Sequence, residues 1–290
     1  VTTTVKNSVS IVIVIHNSLP VLTDCLESLR KNVTGLDFEL IVVDNNSVDN
    51  PTETIKKIFP SARILGNRKN IGFGAACNRA AAKATGEFLL FINPDVNLDR
   101  EAIVSLRGVY EGKEKIGLTA ARCRLKDGTF HPTCRNFPTV KNIFFSRGSF
   151  LAQIVSSSSG RFVTYTLPDF TENTIVPAVA GTVMMIRKSL FDKLNGFDRR
   201  FFMFMEDTDL SLRAVKVGYI NLFVPSAGAV HNWGRGSRAG KFKRSWYHHI
   251  SVWRYFLKHY SNPFSYLLLP LLLMFNFILV STLPDRRKKG

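Results

Sequence analysis

The sequence predicts an α/β fold on a mostly parallel sheet of the nucleotide-binding kind, followed by C-terminal helices that associate with a membrane. Three observations carry this. Apolar runs of strand length alternate with helical periodicities through the first third of the chain. Three of those runs end in polar clusters, at the sheet edge where open α/β sheets hold their ligands. Residues 262–284 carry no charge, and 267–279 are almost wholly apolar, a length that suits a membrane segment.

The elements follow in order. Residues 9–15 are continuous and β-branched, as a parallel strand covered on both faces should be. Leu22, Leu26 and Leu29 repeat at helical spacing, with Thr23 or Asp24 near the start. Residues 38–43 form a second buried strand that runs into Asp44-Asn45-Asn46-Ser47, a cluster suited to a turn or a site loop. Pro51 opens a short helix through Phe59, and 62–65 is a third strand. Gly72, Gly74 and the alanine-rich stretch to Ala84 read as a loop feeding a helix. Residues 87–92 are a fourth strand, closed by Asn93-Pro94-Asp95. Residues 122–175 are less regular and form a long excursion, with serines at 156–159 and a basic-aromatic patch at 141–150. Patterning returns with a strand at 176–186, a loop and helix from Gly196 to about Val217, and a strand at 219–224. No internal repeat and no proline-rich linker interrupts the chain.

Composition narrows the function. The 290 residues are enough for one large α/β domain or two small ones. Lys plus Arg number 39 against 22 for Asp plus Glu, a formal charge of +17 that makes a neutral partner improbable. Anionic membranes, phosphorylated small molecules and nucleic acid all fit that charge. The basic residues are spread out and no nucleic-acid reading motif is present, so nucleic acid is kept only as a distant alternative. Cys25, Cys77, Cys123 and Cys134 form no CxxC pair, which speaks against a zinc knuckle or a redox dithiol. They are expected as buried or half-buried free thiols, which favours a reducing compartment. The first apolar run is too short for a secretory leader and ends in His16-Asn17 instead of a small-residue cleavage site.

The polar clusters carry the chemistry. His16-Asn17, Asp44-Asn45-Asn46 and Asn93-Pro94-Asp95 would each pass singly for a turn, but together at one sheet edge they point to a site. Asp44 can accept hydrogen bonds from a base or ribose. Asp95 can hold a divalent cation, which favours hard oxygen ligands and shares itself with substrate phosphates. Asn70-Ile71-Gly72-Phe73-Gly74 puts flexible backbone near a helix N-terminus, a favourable place for negative charge. Glu206, Asp207 and Asp209 open an amphipathic helix behind the aromatic run 201–204. The helix dipole explains one or two of these acids, and one could serve as a general base. His231 and the following Asn232, Trp233, Gly234, Arg235, Gly236 and Ser237 read as a glycine-rich loop able to meet a metal or phosphate.

These pieces together resemble the inverting family-two glycosyltransferases of the GT-A fold, a nucleotide-diphospho-sugar transferase fold with a Rossmann-like sheet. They look most like the branch containing rhamnosyltransferases of cell-envelope polysaccharide assembly. The matching motifs are residues 12–17, 41–47, 70–74 and 91–95, then Gly196-Phe197-Asp198, Glu206-Asp207-Thr208-Asp209-Leu210, and His231 with its glycines. The resemblance covers roughly residues 8–240 and implies a catalytic domain over 1–240. Its donor half is about 8–120 and its acceptor half about 121–240, with a membrane-associated region at 241–290. It implies that Asp44 recognises the base and that Asn17 and Asn78 line the nucleoside pocket. His16, Asn46, Asn70, Gly72, Phe73 and Asn93 complete the nucleotide site. Asp95 and His231 become ligands of Mg²⁺ or Mn²⁺, Asp207 the catalytic base with Glu206 beside it, and Trp233, Arg235 and Ser237 contacts to the acceptor or its diphosphate. Asn93 stands where the family's Asp-x-Asp motif begins with Asp, and Asn is the poorer cation ligand. The implied donor is dTDP-L-rhamnose ahead of UDP-galactose or UDP-GlcNAc. The implied acceptor is a polyprenyl-diphosphate-linked saccharide, met by the 122–175 excursion.

The tail fits this picture. Trp246, Tyr247, Trp253, Tyr255 and Tyr260 alternate with His248, His249, Arg254, Lys258 and His259, a mixture suited to a membrane interface. Pro270 interrupts the apolar run, and Lys241, Lys243 and Arg244 before it match Arg286, Arg287, Lys288 and Lys289 after it. Basic flanks on both sides favour an in-plane or re-entrant anchor on the cytoplasmic face of the inner membrane over a simple span. A buried helix pair or a homo-oligomer interface is the alternative for the tail. The alternatives for the whole chain are a nucleotidyltransferase, a basic nucleic-acid- or membrane-binding module, and a scaffold that keeps the fold without catalysis.

Overall fold

The computed structural model describes residues 5–33, 35–145, 165–232 and 240–282. The N-terminal half alternates as expected. It runs β1 (Val5–Ile15), α1 (Leu19–Asn32), β2 (Phe38–Asp44), α2 (Thr52–Ile58), β3 (Arg63–Gly66), α3 (Phe73–Ala81) and β4 (Gly86–Ile92). β1 pairs in parallel with both β2 and β4, and β2 with β3. Along β1 the period of two is strict: Val9, Ile11, Ile13 and Ile15 enter the core under α1, while Val12 enters the core under α3. With both faces covered, such a strand can be apolar throughout.

The second half supplies β5 (Val96–Leu98), α4 (Ala102–Gly108), β6 (Ile116–Arg124), β7 (Phe130–His131), β8 (Cys134–Arg135) and α5 (Val140–Phe145). It continues with β9 (Thr174–Val176), β10 (Ala178–Val179), β11 (Val183–Arg187), α6 (Lys188–Lys193), α7 (Glu206–Lys216) and β12 (Ile220–His231). Among the described residues ten strands form one sheet, ordered β3-β2-β1-β4-β11-β6-β12-β5, with β7 beside β6 and β9 beside β12. β11 runs antiparallel between β4 and β6, and a separate ribbon pairs β8 with β10. All four cysteines are buried free thiols.

Three expectations are corrected. The strand expected over 176–186 is three short ones. Pro177 offers no N–H, and β10 leaves the main sheet to pair with β8 before β11 returns to it. The strand expected to stop at Val224 runs on to His231. Its register jumps from Val224↔Ala121 to Gly228↔Arg122, so Pro225 sits in a bulge and pairing resumes beyond it. His231 therefore ends a strand instead of lying in a glycine-rich loop. β6, in the middle of the sheet, was not anticipated. Its residues Gly117, Ala120 and Ala121 lack the β-branched bulk that marks the N-terminal strands.

The tail forms α8 (Lys241–His259), a π-helical turn (Phe264–Leu268) and α9 (Leu269–Thr282). The contacts Phe242–Phe277, His249–Asn276 and Trp253–Ser265 descend through α9 and the π-helical turn before it as they rise along α8, so the two segments are antiparallel. Val252, Tyr255 and Phe256 share one buried cluster with Phe201, Met205 and Leu212, and Leu269 and Leu273 of α9 join it. Asp209 of α7, fully buried, binds Arg213 at 2.8 Å, Lys258 at 2.6 Å and His259 at 2.8 Å. Packing and buried charge together fasten α8 onto α7. Residues Phe264–Ser281 are long and apolar enough to cross a membrane, with mean hydropathy 2.1. Leu267, Leu271, Met274, Phe275 and Ile278 are exposed.

Candidate active site

The ends of β1, β2 and β4 and the start of α3 form one polar edge. Asp44 closes β2, and its Oδ1 accepts the Ser47 amide at 2.8 Å. Asn17, at φ 55°, receives Val48 N–H on its Oδ1 at 2.8 Å, and its own amide reaches the Ser47 hydroxyl. His16 donates from Nδ1 to the Asn45 carbonyl at 3.0 Å, which ties the first strand end to the second. Asn46 is exposed at φ 68°. Asn45, which sequence reasoning did not assign a role, is buried and holds the edge together. It accepts from Asn67 Nδ2 at 2.7 Å and from the Ile71 amide, and donates to the Gly72 carbonyl at 3.1 Å.

Gly72 precedes α3 at φ 87° and ψ 167°, a conformation essentially confined to glycine. The Asn70 carboxamide accepts its amide at 2.9 Å, and a Cβ here would stand 2.4 Å from the Phe202 carbonyl oxygen. The same carbonyl accepts the Phe73 amide at 3.1 Å, so the loop before α7 rests on the start of α3. Gly72→Ala is expected to cost about 1–3 kcal/mol of stability, read from urea denaturation midpoints; an unchanged midpoint would show that this approach is dispensable.

Asp95 and His231 meet as β12 pairs with β5. Both are buried, with His231 Nε2 3.2 Å from Asp95 Oδ1. Asn232 N–H bonds the Asp95 carbonyl at 2.8 Å, and His231 Nδ1 is buried without a hydrogen-bond partner among the described residues. Two donors on adjacent corners of an octahedral shell of about 2.1 Å radius stand roughly 3 Å apart, so this pair fits one divalent cation whose other ligands are phosphate oxygens and water. No group of three or more His, Cys, Asp or Glu side chains gathers for a metal among the described residues. His131 of β7 packs edge-on against His231, ring centres 4.9 Å apart, and burial followed by His231 pushes its imidazole down to about 4. Asn93 sits half-buried at the turn, where its amide bonds the Thr182 carbonyl at 3.0 Å.

Glu206 and Asp207 open α7. Phe204 and Met205 before them are both left-handed, at φ 69° and 68°, a strained pair of non-glycine residues that aims the first turn. Asp207 Oδ2 accepts the Gly181 amide at 3.0 Å and Arg135 Nη2 at 2.5 Å, and its Oδ1 accepts the Thr208 amide at 2.6 Å. Gly181 lies between Asp207 and the Phe73 ring, since a Cβ there would touch both. The acid and the start of α3 thus share one wall. Glu206 turns inward against Gly74, with Oε2 buried and without a hydrogen-bond partner among the described residues. Burial, then the neighbouring Asp207, pushes its carboxyl up to about 8.

The remaining residues divide. Asn78 faces Phe197, donating to its carbonyl at 2.7 Å and accepting its amide at 2.8 Å. That fastening uses one N–H and one lone pair of its carboxamide. Trp233, Arg235 and Ser237 lie outside the described residues. Arg135 was missed because a two-residue strand inside an irregular stretch gives no periodic signal.

Residues 10–194 match the family described as Glycosyl transferase family 2. The chain is similar to the N-acetylglucosaminyl-diphospho-decaprenol L-rhamnosyltransferase of Mycobacterium tuberculosis (strain CDC 1551 / Oshkosh), 26% identical over 87% of this chain and 85% of the relative. It is similar to rhamnosyltransferase WbbL of Escherichia coli (strain K12), 28% identical over 85% of this chain and 92% of the relative. A mannosyltransferase from Pyrobaculum calidifontis, solved with GDP-Man and Mn²⁺, superposes with a TM-score of 0.60 over 94% of this chain and 72% of its own. At 14% identity that likeness shows the GT-A fold alone.

Proposed function

The chain belongs to glycosyl transferase family 2 and is a glycosyltransferase, and from that premise we propose a divalent-cation-dependent, inverting transfer of a sugar onto a polyprenyl-diphosphate-linked saccharide in cell-envelope polysaccharide assembly. The observation that carries this reading is the placement of Asp207 across Gly181 from Phe73, where a buried acid faces the helix start that closes the strand-end edge. The rhamnosyltransferase names of two relatives support dTDP-L-rhamnose as donor, ahead of UDP-galactose or UDP-GlcNAc. Asp44 and Asn17 take the nucleoside, with His16, Asn46, Asn70 and Asn93 around it. The Gly72 and Phe73 amides are already bonded within the chain, so the start of α3 acts on the phosphates through the positive end of its dipole.

Asp207 takes the proton of the acceptor hydroxyl. The oxygen attacks the anomeric carbon from the face opposite the leaving nucleoside diphosphate, and configuration inverts. Asp95 and His231 would hold Mg²⁺ or Mn²⁺, which when bound offsets charge on the leaving diphosphate. Lys and Arg side chains add to that field.

The exposed apolar side chains of α9 support a monotopic seat on the cytoplasmic face of the inner membrane, beside the lipid-linked acceptor. A second copy of the chain covering that face is the alternative occupant. In sealed inside-out vesicles a tag placed after Gly290 is expected to be digested by added protease; its protection would show a span.

A donor screen tests the class. Purified protein is mixed with a panel of nucleotide sugars and Mn²⁺, Mg²⁺ or chelator, and free nucleoside diphosphate is counted with and without a short-chain lipid-linked acceptor. Metal-dependent release from one donor, lost in Asp95→Ala, is the expected result. Release of pyrophosphate would identify a nucleotidyltransferase instead.

A further inference from the structure

Asp207 is saturated. An ionised carboxylate offers about four acceptor positions, and four donors fill them. Arg135 Nη2 at 2.5 Å and the Gly181 amide at 3.0 Å lie on Oδ2; the Thr208 amide at 2.6 Å and hydroxyl at 3.1 Å lie on Oδ1. A base with no open position cannot receive the proton of an acceptor hydroxyl, so one donor must leave. Two of the four are main-chain amides, fixed by the first turn of α7 and the turn after β10. The Thr208 hydroxyl can rotate, but its departure leaves a full positive charge against the carboxylate. Only the departure of Arg135 both opens a position and removes that charge.

Arg135 is built to be held and to move. It lies on β8, a two-residue strand paired with the equally short β10, outside the main sheet. Burial opposes its charge, but Asp207, Tyr165 and Glu206 together outweigh burial and keep the guanidinium protonated. Its field also reaches Glu206 and His248 of α8. It therefore stands where the ribbon, the catalytic helix and the helix that carries α9 come together. A guanidinium binds phosphate oxygens through two parallel hydrogen bonds, and a diphosphate offers more negative charge than one carboxylate.

We propose that Arg135 is handed between Asp207 and the diphosphate of the acceptor. Without acceptor it closes the base; an arriving diphosphate draws it off as a bidentate ion pair and opens Asp207 to the acceptor hydroxyl. The base is then exposed only when an acceptor is present, which protects the donor from hydrolysis by water. This rests on the reading that the acceptor carries a lipid-linked diphosphate.

The test is the calorimetric affinity of the full chain for geranyl diphosphate, a probe with no sugar hydroxyl. If Asp207 competes with the diphosphate for Arg135, Asp207→Asn tightens binding about tenfold and Arg135→Gln weakens it about tenfold, the scale of one charge-assisted bond. The double variant binds no tighter than Arg135→Gln alone. Arg135→Lys, which keeps the charge but not the fork, falls between wild type and Arg135→Gln, and its circular dichroism guards against misfolding. Binding by the wild type that neither substitution changes would overturn the hand-off and leave the acceptor reading standing. Absence of binding by every variant would overturn both.

Discussion

Asp207→Asn lowers turnover by about 10²–10⁴-fold and leaves donor affinity nearly unchanged. The substitution keeps the size and shape of the side chain, but the carboxamide has no charge to hold Arg135 and cannot take a proton. The nucleoside and phosphate contacts proposed above lie elsewhere, on Asp44, Asn17 and the start of α3, so on that proposal the donor keeps its ligands. Turnover in the presence of acceptor, set beside calorimetric donor affinity, separates the two effects. Parallel loss of donor binding would remove Asp207 as the base and make it a donor ligand or a structural acid.

Glu206→Gln is expected to stabilise the protein, and to do so increasingly as pH rises. The folded carboxyl titrates near 8 because burial and Asp207 disfavour its charge, whereas in the unfolded chain it titrates near its ordinary 4.5. Below that ordinary value both states are protonated and the residue contributes no pH dependence. Between the two values the folded state keeps a proton the unfolded state releases, so stability falls with rising pH at a limiting slope of about 1.4 kcal/mol per pH unit. Above 8 the loss is complete. Glutamine has no such titration. The melting temperature of the variant should match the wild type near pH 4 and exceed it by at least several degrees at pH 8, on the scale of roughly 2–4 °C per kcal/mol for a chain of this size. Parallel curves for the two proteins would show that Glu206 is ionised in the fold.

The N-terminal half was legible because its strands are buried on both faces. β1, β2 and β4 read as apolar runs, and their ends brought His16, Asp44 and Asp95 to one edge without any knowledge of contacts. The pairing of Asp95 with His231 was not legible as geometry, because it depends on the bulge at Pro225 that carries β12 to its full length. Of the three acids of α7, Asp209 belongs to packing: it answers Lys258 and His259, which are remote in sequence, and no local pattern announces that. Arg135 and Asn45 stayed hidden for the same reason, since each is defined by partners that only the folded chain supplies.

The ion pairs from Asp209 to Lys258 and His259 make α7 and the apolar hairpin one lever. With the hairpin seated in lipid, the height of Asp207 above the headgroups is set by the protein and not by chance. On the proposed lipid-linked acceptor the protein would then be a gauge: it would read how far a hydroxyl stands from its anchoring diphosphate, and a glycan one sugar too long would carry its next hydroxyl past Asp207. Growth of the chain would stop after a single addition without any need to recognise the product. Removing one turn of α8 would move that mark by about 5 Å, roughly the rise of one sugar.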